Sequence, residues 1–240
     1  MILSTKAMAE EKCFIFQENH KIIRQEGQCD KRYAPASSFK ISLSLMGYDA
    51  GIFKDENHPN WPFKEGYDLF INVCKGSHNP REWMRDSCFW YSQVLTKELG
   101  MERFKSYVKE FSYGNMDVTG DKDKNNGLTH SWLSSSLEIS PEEQMIFLQK
   151  LLDGALPVSK KAIEMTKKIL FREELSGGWK LYGKTGNGRS AKTGLQNGWF
   201  VGWIEKNGRR IIFASHLADD KKQETPASFR IRDEARNKLW

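Results

Sequence analysis

Ser37-Ser38-Phe39-Lys40 places a hydroxyl and an amine three residues apart. On a helix such a pair shares one face, roughly 5–6 Å apart at Cβ. That is within reach for a serine nucleophile and a basic partner. A lysine serves as a base only when neutral, a state that burial favours by lowering its pKa. The neighbours Phe39, Ile41, Leu43, Leu45 and Met46 supply the apolar setting. The pattern alone is weak, because Ser106-Tyr107-Val108-Lys109 fits it too, on a stretch that reads as amphipathic and solvent-facing. Late in the chain, Lys184-Thr185-Gly186 closes a strand-like run. A cation beside a hydroxyl can hold a carboxylate, and the glycine lets a ligand backbone come close. The same lysine also ends Gly178-Trp179-Lys180-Leu181-Tyr182-Gly183-Lys184-Thr185, which fits the phosphate-loop pattern letter by letter. A phosphate cradle needs a strand before the loop and a helix starting at its Lys-Thr end. Here the strand-like residues lie inside the loop, and Gly186-Asn187-Gly188 would stop a helix at once. The phosphate-loop reading is therefore rejected.

The elements that must position these residues follow from the hydrophobic pattern. Residues 12–17 and 21–25 read as a hairpin. Residues 37–48 read as a mostly apolar, buried helix, and 49–80 as a long irregular segment. Asn79-Pro80 opens a helix expected to run to Leu99, with Gly100 as its stop. A short polar helix spans 102–110, and a loop spans 113–129. Ser140-Pro141-Glu142-Glu143 is a capping box for a helix ending at Gly154, and 159–170 forms another helix. Residues 179–184, 198–205 and 210–216 read as strands, the last two joined at Asn207-Gly208, before an amphipathic helix over 226–239. Strands, then helices, then strands and a helix predict an α+β fold: one antiparallel sheet from both chain ends, with flanking helices and an inserted helical lobe. Residues 1–240 are expected to form a single catalytic domain, with a sheet lobe over about 11–35 and 171–240 and a helical lobe over about 36–170.

The 240 residues suffice for a real core without metal or disulfide, and the aromatic content of 12% speaks against disorder. No apolar run approaches the ~18 residues of a membrane span. Residues 1–11 lack a basic start followed by an apolar stretch, so a leader is expected to be absent or already removed. The net charge of +6 is interspersed with acidic residues, the pattern of a solvated surface with no nucleic-acid partner. Cys13, Cys29, Cys74 and Cys88 show no C-x-x-C spacing and so no zinc or redox motif. Cys13 and Cys29 flank the hairpin and could pair in an oxidising compartment.

The combination says more than its parts. Ser-x-x-Lys early, a serine motif in the middle and Lys-Thr-Gly late mark serine penicillin-recognising enzymes. This chain has, in order, Ser37 to Lys40, Ser87-Cys88-Phe89, Tyr113-Gly114-Asn115, Trp132 and Lys184-Thr185-Gly186. It also carries the run Asn125 to Thr129 and Gly198-Trp199-Phe200. From about Cys13 to its C-terminus the sequence resembles a class D β-lactamase, an oxacillinase.

The resemblance implies that Ser37 is acylated by the β-lactam carbonyl. Lys40 would be carboxylated by CO2 and act, as the carbamate, as general base for acylation and deacylation; no metal or other cofactor is implied. Trp132 would steady the carbamate through its indole N–H, and Ser87 would relay a proton to the leaving nitrogen. Lys184, Thr185 and Gly186 would bind the substrate, the first two through its carboxylate. Backbone N–H groups of Ser37 and Asn187 would form the oxyanion hole, leaving the Asn187 side chain little to do. A C-terminal arginine also pairs with that carboxylate; of Arg230 and Arg232, the run Ile231-Arg232-Asp233-Glu234 is closer to the family pattern and favours Arg232.

One departure stands out: the middle motif usually reads Ser-x-Val, and Phe89 is larger. It would crowd the carbamate or displace the deacylating water unless a neighbouring side chain has shrunk. The expected function is hydrolysis of β-lactams in the periplasm. The alternative is a β-lactam-acylated sensor with the same residues and no turnover, which would be expected to adjoin a membrane span. A D-alanyl-D-alanine peptidase shares the acylation chemistry but not the Trp132 feature.

Overall fold

The computed structural model describes residues 10–190 and 193–239. Residues 1–9, where a leader was sought, lie outside the described residues. The hairpin forms from β1 (Glu11–Glu18) and β2 (Lys21–Gly27), its turn made by Asn19 and His20, both at positive φ. A 3-10 turn over Ala36–Phe39 then runs into α1 (Lys40–Asp49). The middle of the chain is helical: α2 (Pro80–Asp86), α3 (Phe89–Leu99), α4 (Met101–Glu110), α5 (Gly127–His130), α6 (Pro141–Leu152) and α7 (Lys160–Leu170). The chain returns through β3 (Phe171–Leu175), β4 (Trp179–Arg189), β5 (Gln196–Lys206) and β6 (Arg209–Ala218), and ends in α8 (Ala227–Leu239).

The strands make one sheet of order β2-β1-β6-β5-β4-β3, antiparallel throughout. β1 lies against β6, with Ile15 opposite Ala214, so the two ends of the chain share a sheet as the pattern predicted. Successive strand residues face opposite sides. Phe14, Phe16, Phe200 and Phe213 accordingly pack with Ala227, Ile231 and Ala235 of α8, while Cys13, Ile15, Trp199, Val201 and Trp203 join the main core beneath the helices.

Two expectations need correction, and one strand was not foreseen. The helix expected over 79–99 is two helices, because Ser87 adopts φ 64° and Cys88 is extended. Tertiary bonds outweigh helix continuity there: Trp83 Nε1 donates to Ser92 Oγ at 2.9 Å, Trp90 Nε1 donates to the Cys74 carbonyl at 2.9 Å, and Cys88 is disulfide-bonded to Cys74. The run ending at Lys184 does not stop there, since β4 continues to Arg189 paired with β5. β3 was not legible, because its polar sequence Phe-Arg-Glu-Glu-Leu lies at the sheet edge.

Cys13 and Cys29 are disulfide-bonded, closing a 16-residue separation. A loop of that size restricts the unfolded chain by about 3 kcal/mol. Replacing both residues by alanine is expected to lower the unfolding free energy by about that amount in urea titrations.

Candidate active site

Helix α1 is buried along nearly its whole length, from Lys40 to Tyr48. It packs against α3, α4 and α7. Lys40 therefore begins a helix in the middle of the core, 1% exposed. Its amine donates to Ser37 Oγ at 3.2 Å, and burial pushes its pKa down from 10.5 to about 7. Ser37 itself is half-buried and reachable. Ala36, just before it, holds φ 49°, a conformation unfavourable for a residue with a side chain. Such strain persists where the surroundings over-determine it. Here Ala36 N–H donates to the Trp132 carbonyl at 3.0 Å, and Ser38 Oγ donates to the Pro35 carbonyl at 2.7 Å.

The rival Ser106–Lys109 pair is exposed on α4, and Ser106 Oγ donates to Glu110 at 2.7 Å instead. Burial separates the two motifs: Lys109 is exposed, whereas burial sets up Lys40 to lose its proton near neutral pH.

β4 brings Lys184 to the same place. Its pairing with β3 ends at Tyr182, so beyond that residue one edge of β4 faces the 3-10 turn rather than a strand. At Gly186 a Cβ would sit 2.8 Å from the Pro35 carbonyl oxygen, 2.9 Å from Ser38 N and 3.2 Å from Ser37 N. The glycine thus permits the Ala36–Phe39 turn to press against β4. Lys184 is 2% exposed, and its amine donates to the Thr185 carbonyl at 2.9 Å. Burial, then the charges of Arg172 and Lys40, hold its pKa well below the ordinary value. Thr185 is half-buried beside it.

Trp132 is fully buried, its ring 5.6 Å from that of Phe39, and among the described residues its indole N–H has no hydrogen-bond partner. The loop that carries it is fastened by Tyr113-Gly114-Asn115. Tyr113 accepts from Gln144 at 3.0 Å, and Asn115 donates to the Ser136 carbonyl at 2.8 Å and accepts from Glu138 N–H at 3.0 Å. Gly114, at φ 55°, passes so close to Glu138 that a Cβ would fall 2.0 Å from its carbonyl oxygen.

Ser87 stands in the break between α2 and α3, and Phe89 just beyond it lies edge-on to Trp132 at 6.3 Å and near Phe70 at 5.1 Å. The structure thus gathers Ser37, Lys40, Trp132, Lys184 and Gly186, with Ser87 joined through Phe89. Arg230 is committed elsewhere, bonded to Asp219 at 2.6 and 2.7 Å. Arg232 donates to Asp233 at 2.8 Å and lies over the Phe229 ring at 4.9 Å; among the described residues no hydrogen bond or ion pair joins it to Lys184 or Thr185. The Asn187 side chain does more than the sequence suggested: its Oδ1 accepts from Ser228 N–H at 3.2 Å and ties β4 to the start of α8.

Two features escaped sequence reasoning. The Cys74–Cys88 disulfide anchors the middle motif, although the spacing of the two residues gave no sign of it. Arg172, on the unread strand β3, hydrogen-bonds to the strand before Lys184.

A six-stranded antiparallel sheet flanked by helices, with a serine–lysine pair beneath a Lys-Thr-Gly strand, defines a serine penicillin-recognising protein. Residues 6–239 match the penicillin binding protein transpeptidase domain model, and the chain belongs to that family. Within it the chain is a class D β-lactamase. It is 41% identical over 218 residues to β-lactamase OXA-9 of Klebsiella pneumoniae, covering 88% of this chain and 79% of that one. It is 40% identical over 230 residues to β-lactamase OXA-1 of Escherichia coli, covering 94% and 82%. The crystal structure of the OXA-427 class D β-lactamase superposes with a TM-score of 0.89 at 42% identity, covering 95% of this chain and 96% of that one. No helix among the described residues is long and apolar enough to cross a membrane.

The depressed pKa of Lys40 also bears on stability. Between about pH 7 and 10.5 the unfolded chain binds a proton that the folded chain does not. Its burial therefore costs stability below this window, and the cost falls as pH rises through it. Lys40→Met is expected to raise the unfolding free energy by about 4 kcal/mol at pH 7, and by about 1 kcal/mol at pH 10. Denaturant titrations at the two pH values, without added bicarbonate, read this directly.

Proposed function

We propose that this β-lactamase works through a serine acyl-enzyme on Ser37, with Lys40 as the site of the general base. The observation that carries the reading is the 3.2 Å hydrogen bond between the Ser37 hydroxyl and an amine kept near neutrality by burial. Ser37 Oγ attacks the lactam carbonyl as its proton passes towards the basic group at Lys40. Backbone N–H groups of Ser37 and Asn187 receive the developing oxyanion. The lactam C–N bond breaks, and Ser87 delivers a proton to the departing nitrogen and takes up in its place the one held at Lys40. Water then attacks the ester, giving up its proton on the Lys40 side, and Ser37 leaves with its hydroxyl restored. The product is the ring-opened acid.

The residues present suit a carbamate on Lys40. A neutral amine is the form that attacks CO2, and the buried, unpartnered indole N–H of Trp132 is the donor that would hold the group. When bound, the carbamate supplies a carboxylate-like base in place of the amine. Lys184 gains its proton more readily when Lys40 carries no positive charge, since the two repel. Lys184 and Thr185 then meet the substrate carboxylate, with Arg232 of α8 as the further cation, because Arg230 already serves Asp219. Two disulfides support a periplasmic setting.

Mass spectrometry during incubation with excess penicillin tests the reading. A transient adduct on Ser37 is expected with steady loss of penicillin, and neither in Ser37→Ala. A lasting adduct without turnover would replace the hydrolytic cycle by the sensor reading, and no adduct would remove both. Turnover should rise with pH through about 7 and respond to bicarbonate at acidic pH. Arg232→Ala is expected to raise KM more than it lowers kcat, the sign of lost uniform binding. Arg230→Ala should act on stability instead, since it strips Asp219, 1% exposed at its side chain, of its partner.

A further inference from the structure

Strand β3 runs antiparallel to β4, but its register slips: Phe171 lies opposite Tyr182 and Glu173 opposite Leu181. Arg172 is thus the extra residue of a β-bulge. Bulges re-aim side chains, and they are common beside active sites. Arg172 uses its altered direction to reach two elements at once. Its Nε donates to the Gly183 carbonyl at 2.8 Å, and its Nη2 donates to the Met84 carbonyl at 3.2 Å.

Both acceptors are informative. Gly183 immediately precedes Lys184 on β4. Met84 lies in the last turn of α2, where the helix stops at Asp86 and the backbone turns left-handed at Ser87. Carbonyls in a last helical turn have no partner within the helix and carry the negative end of its dipole. A cation is the natural cap for them. Among the described residues no carboxylate lies within ion-pair distance of Arg172, and Asp86 pairs instead with Arg85 and His78. The guanidinium is therefore spent on two backbone carbonyls, one on the Lys184 strand and one on the helix that leads into Ser87. Its donors form a planar, rigid fork, so two bonds from one group fix a separation that a flexible ammonium would not.

We propose that Arg172 is a positioning residue for β-lactam turnover, its guanidinium setting the spacing between the Ser87 turn and the Lys184 strand. The proposal rests on the roles assigned above to Ser87 and Lys184. A purely structural cap at the same place would change the melting temperature and leave turnover alone, so kinetics separates the two.

The test is penicillin hydrolysis by Arg172→Met and Arg172→Lys, each made in the wild-type and Ser87→Ala backgrounds, with circular dichroism to establish folding. Arg172→Met is expected to lower kcat about 10-fold with KM altered less than about 3-fold. Arg172→Lys keeps the charge and one of the two bonds, and recovers part of the loss. In the Ser87→Ala background the methionine is expected to cost less than about 2-fold more, because the group it positions is gone. A kcat within about 2-fold of wild type would overturn the proposal, as would the same loss in both backgrounds. If Arg172→Met does not fold, Arg172→Gln carries the same comparison. Absence of hydrolysis by the wild-type protein would instead strike at the assignment of the site itself.

Discussion

An amine placed where water cannot reach it is the constraint around which this molecule is arranged. Lys40 opens a helix whose every side is covered, and removing a lysine from water disfavours its charge. Phe39 beside it packs against the buried rings of Phe104, Tyr113 and Trp132, and burial alone lowers the lysine's pKa. Their burial favours folding while the lysine opposes it. Stability given up for function in this way is expected of catalytic centres.

A second buried amine sharpens the constraint. Lys184 approaches from the sheet side, and the two lysines cannot easily be charged together. The fold permits the approach because Gly186 has no side chain where β4 meets the Ala36–Phe39 turn. The site therefore lies at the seam between the helical part of the chain and the returning sheet. Each side contributes one buried lysine: the helical part brings Lys40 with Ser37 beside it, and the strand brings Lys184.

The middle motif shows how an unusual local sequence is accommodated. Phe89 is larger than the valine expected there, yet it is 6% exposed, packed among Phe70, His130 and Trp132. Its backbone is held from two directions. The Cys74–Cys88 disulfide fixes the residue beside Ser87, and Arg172 caps the helix that leads into it. A residue held in a left-handed turn, as Ser87 is, needs such external support, because neither neighbouring helix specifies that conformation.

Local chemistry in the sequence was enough to place most elements. Capping boxes at Asn79 and Ser140 mark helix starts because their side chains bond the first free N–H groups within a few residues. The order of Ser37, Lys40, Ser87, Trp132 and Lys184 along the chain was equally legible, and so was the family. The Ser-x-x-Lys spacing did not by itself separate the Ser37–Lys40 pair from Ser106–Lys109. The apolar neighbours of the first and the amphipathic setting of the second pointed to the difference in burial that the packed chain shows. The sequence could not reveal the break at Ser87, the second disulfide or the bulge at Arg172. Each of these depends on contacts between residues far apart in the chain: Cys74 with Cys88, Trp83 with Ser92, Arg172 with Met84. Short-range preferences are written in neighbouring residues, whereas solvent exclusion and long-range hydrogen bonds exist only once the chain has closed on itself. Those two effects decide which lysine loses its proton and which serine stands beside it.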